Sequence, residues 1–407
     1  MAYGSEPHAY TEGRERRVHS LRVLHVLAAG EYGGAEAQVL ALCKSLQADG
    51  IHVLIAVSVD AEFAQKAREA GLAIVRIAGR HPFEEARAIA RVALDAQVDV
   101  IHTHGVRASV AGRLAGRQLG IPVVTTVHSD LYYDYASAAK RTVFMALERL
   151  TRRWSAKVIA VSEAILRVLR DRGYPESQLV LVGNGVDIAL CDSLLEAAHR
   201  APLSLRRQLG ISDDALLVVC AARLHPVKRH DVLIEGFARV PAMIESRPVH
   251  LLLAGEGSER QAIENAIAAH TGLADRVHLL GVRTDVLAIL AEADVFALTS
   301  QMEGLPISVL EAMIAQLPVV ASRVGGLREV VVDASQSDDA TGLLFPVGDV
   351  EALGRALTEV LSDPELRKEL GANALHRVRT RYGLAQSTAR TAAIYALLTG
   401  DSHPGSM

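Results

Sequence analysis

At 407 residues the chain is too long for one comfortable hydrophobic core and reads as two domains. Half of its residues are hydrophobic, 22% are charged and the formal net charge is −4, an ordinary globular composition and not that of a nucleic-acid binder. Three scattered cysteines, Cys43, Cys191 and Cys220, speak against a disulfide framework or a zinc cluster and for a reducing, cytoplasmic setting.

Residues 1–20 carry Arg14, Arg16 and Arg17 but no apolar run, so they read as a disordered tail and not a signal peptide. From Leu21 onward short apolar runs alternate with segments of helical spacing. Strands are predicted at 21–27, 52–58, 73–78, 98–102, 122–128, 156–162 and 179–185, with helices between them, as at 35–47 and 84–96. The series then restarts, with strands predicted at 215–223, 249–255, 276–281, 294–300, 318–322 and 341–347. A connecting helix is predicted at 191–208, and helical segments follow Asp363, ending at 385–398. Alternating β and α elements imply parallel, doubly wound sheets. The expected organisation is α/β: a Rossmann-like domain at 21–188, a second at 189–383, a last helix at 384–399 crossing back to the first domain, and a tail at 400–407. No run approaches the roughly 18 apolar residues of a membrane span.

In such sheets ligands bind beyond the carboxyl ends of the strands, so the residues just after each apolar run carry the functional information. The segment 303–313, EGLPISVLEAM, follows a strand and opens a helix, with Pro306 expected as its first residue. Backbone N–H groups of Leu305, Ile307 and Ser308, with the helix dipole, form an anion site suited to a diphosphate. Glu303 and Glu311 flank this turn. They fit sugar hydroxyls, or, on a plainer reading, a helix-start acid and a solvated helix residue. Upstream, AARLHPVKRHDVLIEGF at 221–237 places Arg223 and Lys228 after a strand. Two cations there can stabilise the negative charge of a departing nucleoside diphosphate without a metal, or can be surface cations only.

Glu303 and Glu311 in this spacing resemble the donor-binding motif of the retaining GT-B glycosyltransferases of family 4. The segment 221–237 resembles a second motif of that family, in which Arg223 and Lys228 correspond to the pair that binds the donor diphosphate. Ala222 and Arg229 depart from the usual pattern, but neither removes a charged phosphate ligand. EYGGAEAQ at 31–38 resembles the family's GGAE turn, where Gly33 and Gly34 let the backbone approach the donor phosphates. TTVHSD at 125–130 places His128 where the family commonly has a histidine near the donor sugar. In IHTHG, His104 is expected to line the cleft and His102 to pack. VGNGVD at 182–187 resembles the inter-domain stretch, and Gly325 and Gly326 fit a turn near the donor.

The resemblance spans roughly residues 21–400 and implies two Rossmann-like domains facing across a cleft, acceptor in the first and donor in the second. It implies a donor site of Gly33, Gly34, Arg223, Lys228, Glu303, Gly304, Leu305, Ile307, Ser308 and Glu311, with Glu303, His128, Arg223 and Lys228 acting in catalysis. His104, Tyr132 and Tyr133 are acceptor or cleft candidates. No DxD element or histidine cluster suggests a metal, and no cofactor is expected. The function implied is retaining transfer of a sugar from a nucleoside-diphosphate-sugar donor to a hydroxyl acceptor, in bacterial polysaccharide or cell-envelope glycan synthesis. The alternatives are a nucleotide-sugar epimerase or isomerase on the same fold and a non-catalytic sugar-nucleotide-binding protein.

Segment 132–154 is expected as one helix, with Val143, Leu147, Leu150 and Trp154 on a single stripe. Lys140, Arg141, Arg149, Arg152 and Arg153 lie beside it. Either this stripe faces the core, or it docks on anionic lipid to reach a lipid-linked acceptor, making the protein peripheral at the inner face of the cell membrane.

Overall fold

The structure, a computed structural model, describes residues 20–28, 32–79, 81–134, 137–200, 205–337 and 339–400. Apart from Ser20 and Gly400, the tails expected at 1–20 and 400–407 lie outside the described residues, as does Glu31 of the glycine turn.

The described residues form two seven-stranded sheets, in line with the two-domain α/β expectation. The first holds β1 (Arg22–Leu27), β2 (His52–Val57), β3 (Ala73–Arg76), β4 (Val100–His104), β5 (Val123–Val127), β6 (Lys157–Ala160) and β7 (Leu179–Leu181). Its order is β3-β2-β1-β4-β5-β6-β7, parallel throughout. The second holds β8 (Leu216–Ala221), β9 (Met243–Ile244), β10 (Arg247–Ala254), β11 (Val277–Gly281), β12 (Val295–Leu298), β13 (Val319–Ser322) and β14 (Gly342–Phe345). Its path β11-β10-β8-β12-β13-β14 is again parallel, with β9 added antiparallel to β10. The central strand β8 is buried at every residue, which is why it reads as an unbroken apolar run and not as an alternating pattern; β4 is buried throughout as well, with His102, Thr103 and His104 inside it.

Local differences from expectation have local causes. The strand expected at 98–102 runs over Val100–His104, so both histidines of IHTHG lie inside it. The strand expected at 179–185 stops at Leu181, because Val182–Asp187 turns toward the second sheet. The connecting helix expected at 191–208 is the helix Ile188–Arg200 followed by Leu205–Leu209. β9 escaped notice because its hairpin turns through Glu245 and Ser246, both at positive φ, without the usual Asn-Gly signal.

Connections at several points hold the two halves together. The N–H of Leu384 donates to Val186 O and that of Val186 to Tyr382 O, both at 2.9 Å. The carboxylate of Glu329 accepts the first N–H groups of the helix Glu163–Asp171, those of Glu163 and Ala164, each at 2.8 Å. An acid at a helix start satisfies orphan donors and suits the helix dipole. The last helix, Leu384–Thr399, then packs beside the helix Gly34–Ala48, with Tyr395 fully buried.

The segment expected as one helix over 132–154 is broken into Leu131–Asp134, Ala138–Thr151 and a short 3-10 turn at Arg152–Trp154. Ser137 caps the middle helix. Its inward face carries Glu148 and Thr151, while Val143 and Leu150 are 56% and 65% exposed. The stripe through Val143 and Leu150 therefore does not face the core. Among the described residues no helix is long and apolar enough to cross a membrane.

Candidate active site

The second-sheet side of the site is built on the loops after β8, β12 and β13. After β8 the chain passes Arg223, makes a 3-10 turn at Pro226–Lys228 and takes a left-handed conformation at Arg229 (φ 52°). Thr299, just beyond β12, pins that turn by donating to the carbonyls of Lys228 at 3.0 Å and Arg229 at 2.9 Å. Lys228 Nζ consequently reaches Glu303 Oε1 at 2.5 Å, and Ser300 Oγ donates to the same oxygen at 2.5 Å. Glu303 is only 7% exposed. It is therefore no solvated helix-start acid but a buried carboxylate held by a cation and a hydroxyl.

Pro306 is not the first helical residue: its ψ of 125° keeps it extended, and the helix begins at Ile307. The shift leaves the N–H groups of Ile307 and Ser308 in the first turn, where no helical carbonyl precedes them. The turn is shaped by glycines. A Cβ on Gly325 (φ 36°) would lie 2.2 Å from Glu303 O, and one on Gly326 would lie 1.6 Å from Gly304 O. Only bare backbone lets the loop after β13 stack on the Glu303–Gly304 turn.

Glu311 lies one helical stretch further on and is half-buried. Burial pushes its carboxyl up to about 7. Its charge reaches the first-sheet side, where Tyr32 is raised to about 12 by burial, then by Glu62, Glu36 and Glu311. Tyr32 immediately precedes the Gly33–Gly34 turn, so glycine turn and second glutamate share one locality.

The two halves also meet at the Glu303–Gly304 turn. A Cβ on Gly304 would lie 2.0 Å from the carbonyl oxygen of His128, at the end of β5. Asn184 Nδ2 donates to Leu305 O at 2.8 Å, drawing the stretch Val182–Asp187 onto the same turn. Arg223 leans across to the glycine turn, its Nε 3.3 Å from where a Gly33 Cβ would stand. A Cβ on Gly34 would meet nothing within 4 Å, leaving open space over that backbone. Gly33, Arg223, Lys228, His128, Glu303, Gly304, Leu305 and Glu311 are thus brought together, with Ile307 and Ser308 in the helix turn that follows.

Tyr132 and Tyr133 are placed differently. Their rings meet edge to face with centroids 5.3 Å apart, and the Arg141 guanidinium lies 4.3 Å from the Tyr132 ring centroid. Tyr132 is 49% exposed and Tyr133 half-buried.

Behind His128 lies a group that sequence reasoning largely missed. His104, expected to line the cleft, is buried, with Nδ1 3.2 Å from His128 Nε2. His102, expected only to pack, has both ring nitrogens in hydrogen bonds, to Tyr395 and to Thr126. His25, hidden in the apolar run of β1, lies between His104 and Tyr395. One ring nitrogen from each of His25, His102 and His104 falls within 4.8 Å of the others. Burial lowers His25 to about 3 and His128 to about 4. Burial and the neighbouring histidines hold His102 and His104 well below the usual imidazole range.

Comparison with known proteins agrees with this architecture. Residues 203–377 match the family model described as glycosyl transferases group 1, and residues 32–190 match that described as glycosyltransferase family 4. The N-acetyl-alpha-D-glucosaminyl L-malate synthase of Bacillus anthracis is 27% identical over 320 residues, 78% of this chain and 79% of that protein. The UDP-Gal:alpha-D-GlcNAc-diphosphoundecaprenol alpha-1,3-galactosyltransferase of Escherichia coli is 26% identical over 273 residues, 66% of this chain and 67% of that protein. The crystal structure of Anabaena HepE, in complex with UDP and glucose, superposes with a TM-score of 0.78 at 24% identity, covering 93% of this chain and 100% of that one. Matched in both halves by glycosyltransferase models and sharing the two-sheet fold, the chain belongs to the GT-B glycosyltransferases of the family 4 type.

Proposed function

We propose that this glycosyltransferase moves a sugar from a nucleoside-diphosphate-sugar donor to a hydroxyl acceptor in bacterial envelope glycan synthesis, with retention of anomeric configuration. The observation that carries this reading is the convergence of Arg223, Lys228 and Glu303 with Gly33 and His128 at the carboxyl ends of two facing parallel sheets. Arg223, Lys228 and the first-turn N–H groups of the helix Ile307–Ile314 receive the negative charge that grows on the leaving diphosphate. Glu303, held by Lys228 and Ser300, accepts hydrogen bonds from hydroxyls of the transferring sugar. Glu311 does the same for the ribose. The leaving phosphate takes the acceptor's proton, so no separate base and no metal is required.

The UDP-galactose donor named for the Escherichia coli relative supports a uridine-diphosphate sugar here, and its diphosphoundecaprenol acceptor supports a lipid-linked one. The exposed stripe of the helix Ala138–Thr151 would then meet anionic lipid, its Lys140, Arg141 and Arg149 against the headgroups. The test is incubation with a panel of labelled nucleotide sugars and lipid-linked acceptors, with and without EDTA, and NMR of the product anomer. Transfer with retention in EDTA is expected. An inverted product, isomerised donor or dependence on added metal would reject this reading.

A further inference from the structure

Six side chains behind the cleft form one continuous line of hydrogen bonds. Thr126 Oγ1 is 2.7 Å from His102 Nε2, and His102 Nδ1 is 2.5 Å from the Tyr395 hydroxyl. That hydroxyl is 3.5 Å from His25 Nε2. His25 Nδ1 is 3.1 Å from His104 Nε2, and His104 Nδ1 is 3.2 Å from His128 Nε2. The line ends at His128 Nδ1, which is buried and has no partner among the described residues. It comes from β1, β4, β5 and the last helix, elements far apart in sequence.

A neutral imidazole has one donor nitrogen and one acceptor. Burial keeps all four of these imidazoles neutral at working pH. Every bond in the line can then be satisfied in three ways: all donors pointing toward Thr126, all pointing toward His128, or both arms pointing at a Tyr395 hydroxyl that accepts twice. The 2.5 Å contact selects among them, because it falls in the range of an O–H donor and below that of an N–H donor. Tyr395 therefore donates to His102, and His25 Nε2–H points to Tyr395. His104 Nε2–H points to His25, and His128 Nε2–H points to His104. His128 Nδ1 is left as a lone pair. His128 borders a cavity of about 20 Å³ lined in part by Gln38, Thr126 and Asn184, room for a single hydroxyl-sized group.

We propose that His25, His102, His104 and Tyr395 are positioning residues that lock His128 as its Nε2–H tautomer, so that Nδ1 accepts a hydrogen bond from a substrate hydroxyl. The substrate part rests on the proposed function, whereas the tautomer does not. The line also accounts for the three clustered histidines without a metal ion, because each of their nitrogens already has a partner.

Long-range proton–nitrogen correlation spectra of the full chain labelled at histidine nitrogen read the tautomer directly, with His128→Gln assigning the His128 signals. The proton is expected on Nε2 across neutral pH. Tyr395→Phe and His25→Gln cut the line at two points, and each is expected to abolish the single His128 tautomer. Each should also lower kcat roughly tenfold, the loss of about one hydrogen bond, with donor KM little changed. A wild-type proton on Nδ1, stoichiometric metal in the purified protein, or an unaltered tautomer in both variants would overturn the proposal. So would an unchanged kcat in a variant that has lost the tautomer. Because the spectra need no turnover, failure of the relay is distinguishable from failure of the functional reading.

Discussion

Lys228 and Glu303, 75 residues apart, hold each other at 2.5 Å, and Ser300 completes the grip on the same carboxylate oxygen. A cation proposed for the diphosphate and a carboxylate proposed for the sugar are thus one unit before substrate arrives. Glu303 is fixed in place without reorganising during the reaction, which is how a preorganised site favours a transition state.

Glu303 and Glu311 should accordingly separate in kinetics. A contact stronger in the transition state lowers kcat when removed, whereas a contact equal in both states raises KM. Glu303→Gln is expected to lower kcat by roughly ten- to over a hundredfold, the worth of a charged hydrogen bond. Glu311→Gln is expected to raise donor KM by a similar factor. Steady-state kinetics at saturating acceptor, on variants whose melting curves show folding, decide this. An unchanged kcat in Glu303→Gln would leave Glu303 as a structural partner of Lys228 only.

Glu311 also links function to stability. Its carboxyl is raised from the ordinary 4.5 to about 7 by burial, so the unfolded chain releases that proton first. Below about pH 4.5 both states are protonated and the group has no effect. As pH rises toward 7 the unfolded state gains, and the full cost persists above 7. Glu311→Gln should therefore raise Tm at pH 8 and lose that advantage near pH 4.5, even as it weakens donor binding. Melting curves across this range check it, and a Tm gain independent of pH would contradict it.

The glycines make contrasting predictions. Gly304→Ala puts a Cβ 2.0 Å from His128 O, a backbone atom of the facing domain, and the strain is relieved most simply by the halves moving apart. A larger radius of gyration in small-angle scattering is expected, with kcat/KM down about tenfold or more, in keeping with overpacking costs of about 1–3 kcal/mol. Gly34→Ala meets open space, so Tm should hold while donor KM rises if phosphates approach that backbone. Unaltered kinetics in Gly34→Ala would remove Gly34 from the donor site.

At the outer surface, vesicle co-sedimentation should require anionic lipid and weaken with salt. Leu150→Asp and Arg149→Glu, both on the exposed side of the helix Ala138–Thr151, should each reduce binding severalfold without altering Tm. Equal binding to neutral vesicles, or none to either, would remove this surface from consideration.

The alternation of apolar runs and helical spacings was enough to read two parallel sheets, because strand and helix periods are written into neighbouring residues. The segments carrying Glu303, Glu311, Arg223 and Lys228 were legible for the same reason: each is a local strand-to-helix turn. What the sequence could not show was which of these side chains touch. The pairing of Lys228 with Glu303, the contact of Gly304 with His128 and the line from His25 through Tyr395, 370 residues away, depend on strand order and on the last helix crossing back. His25 and His102 occupy positions that local pattern assigns to apolar packing. Only the juxtaposition of β1, β4 and the last helix supplies these two buried imidazoles with hydrogen-bond partners, without which burying each would cost roughly a few kcal/mol of stability.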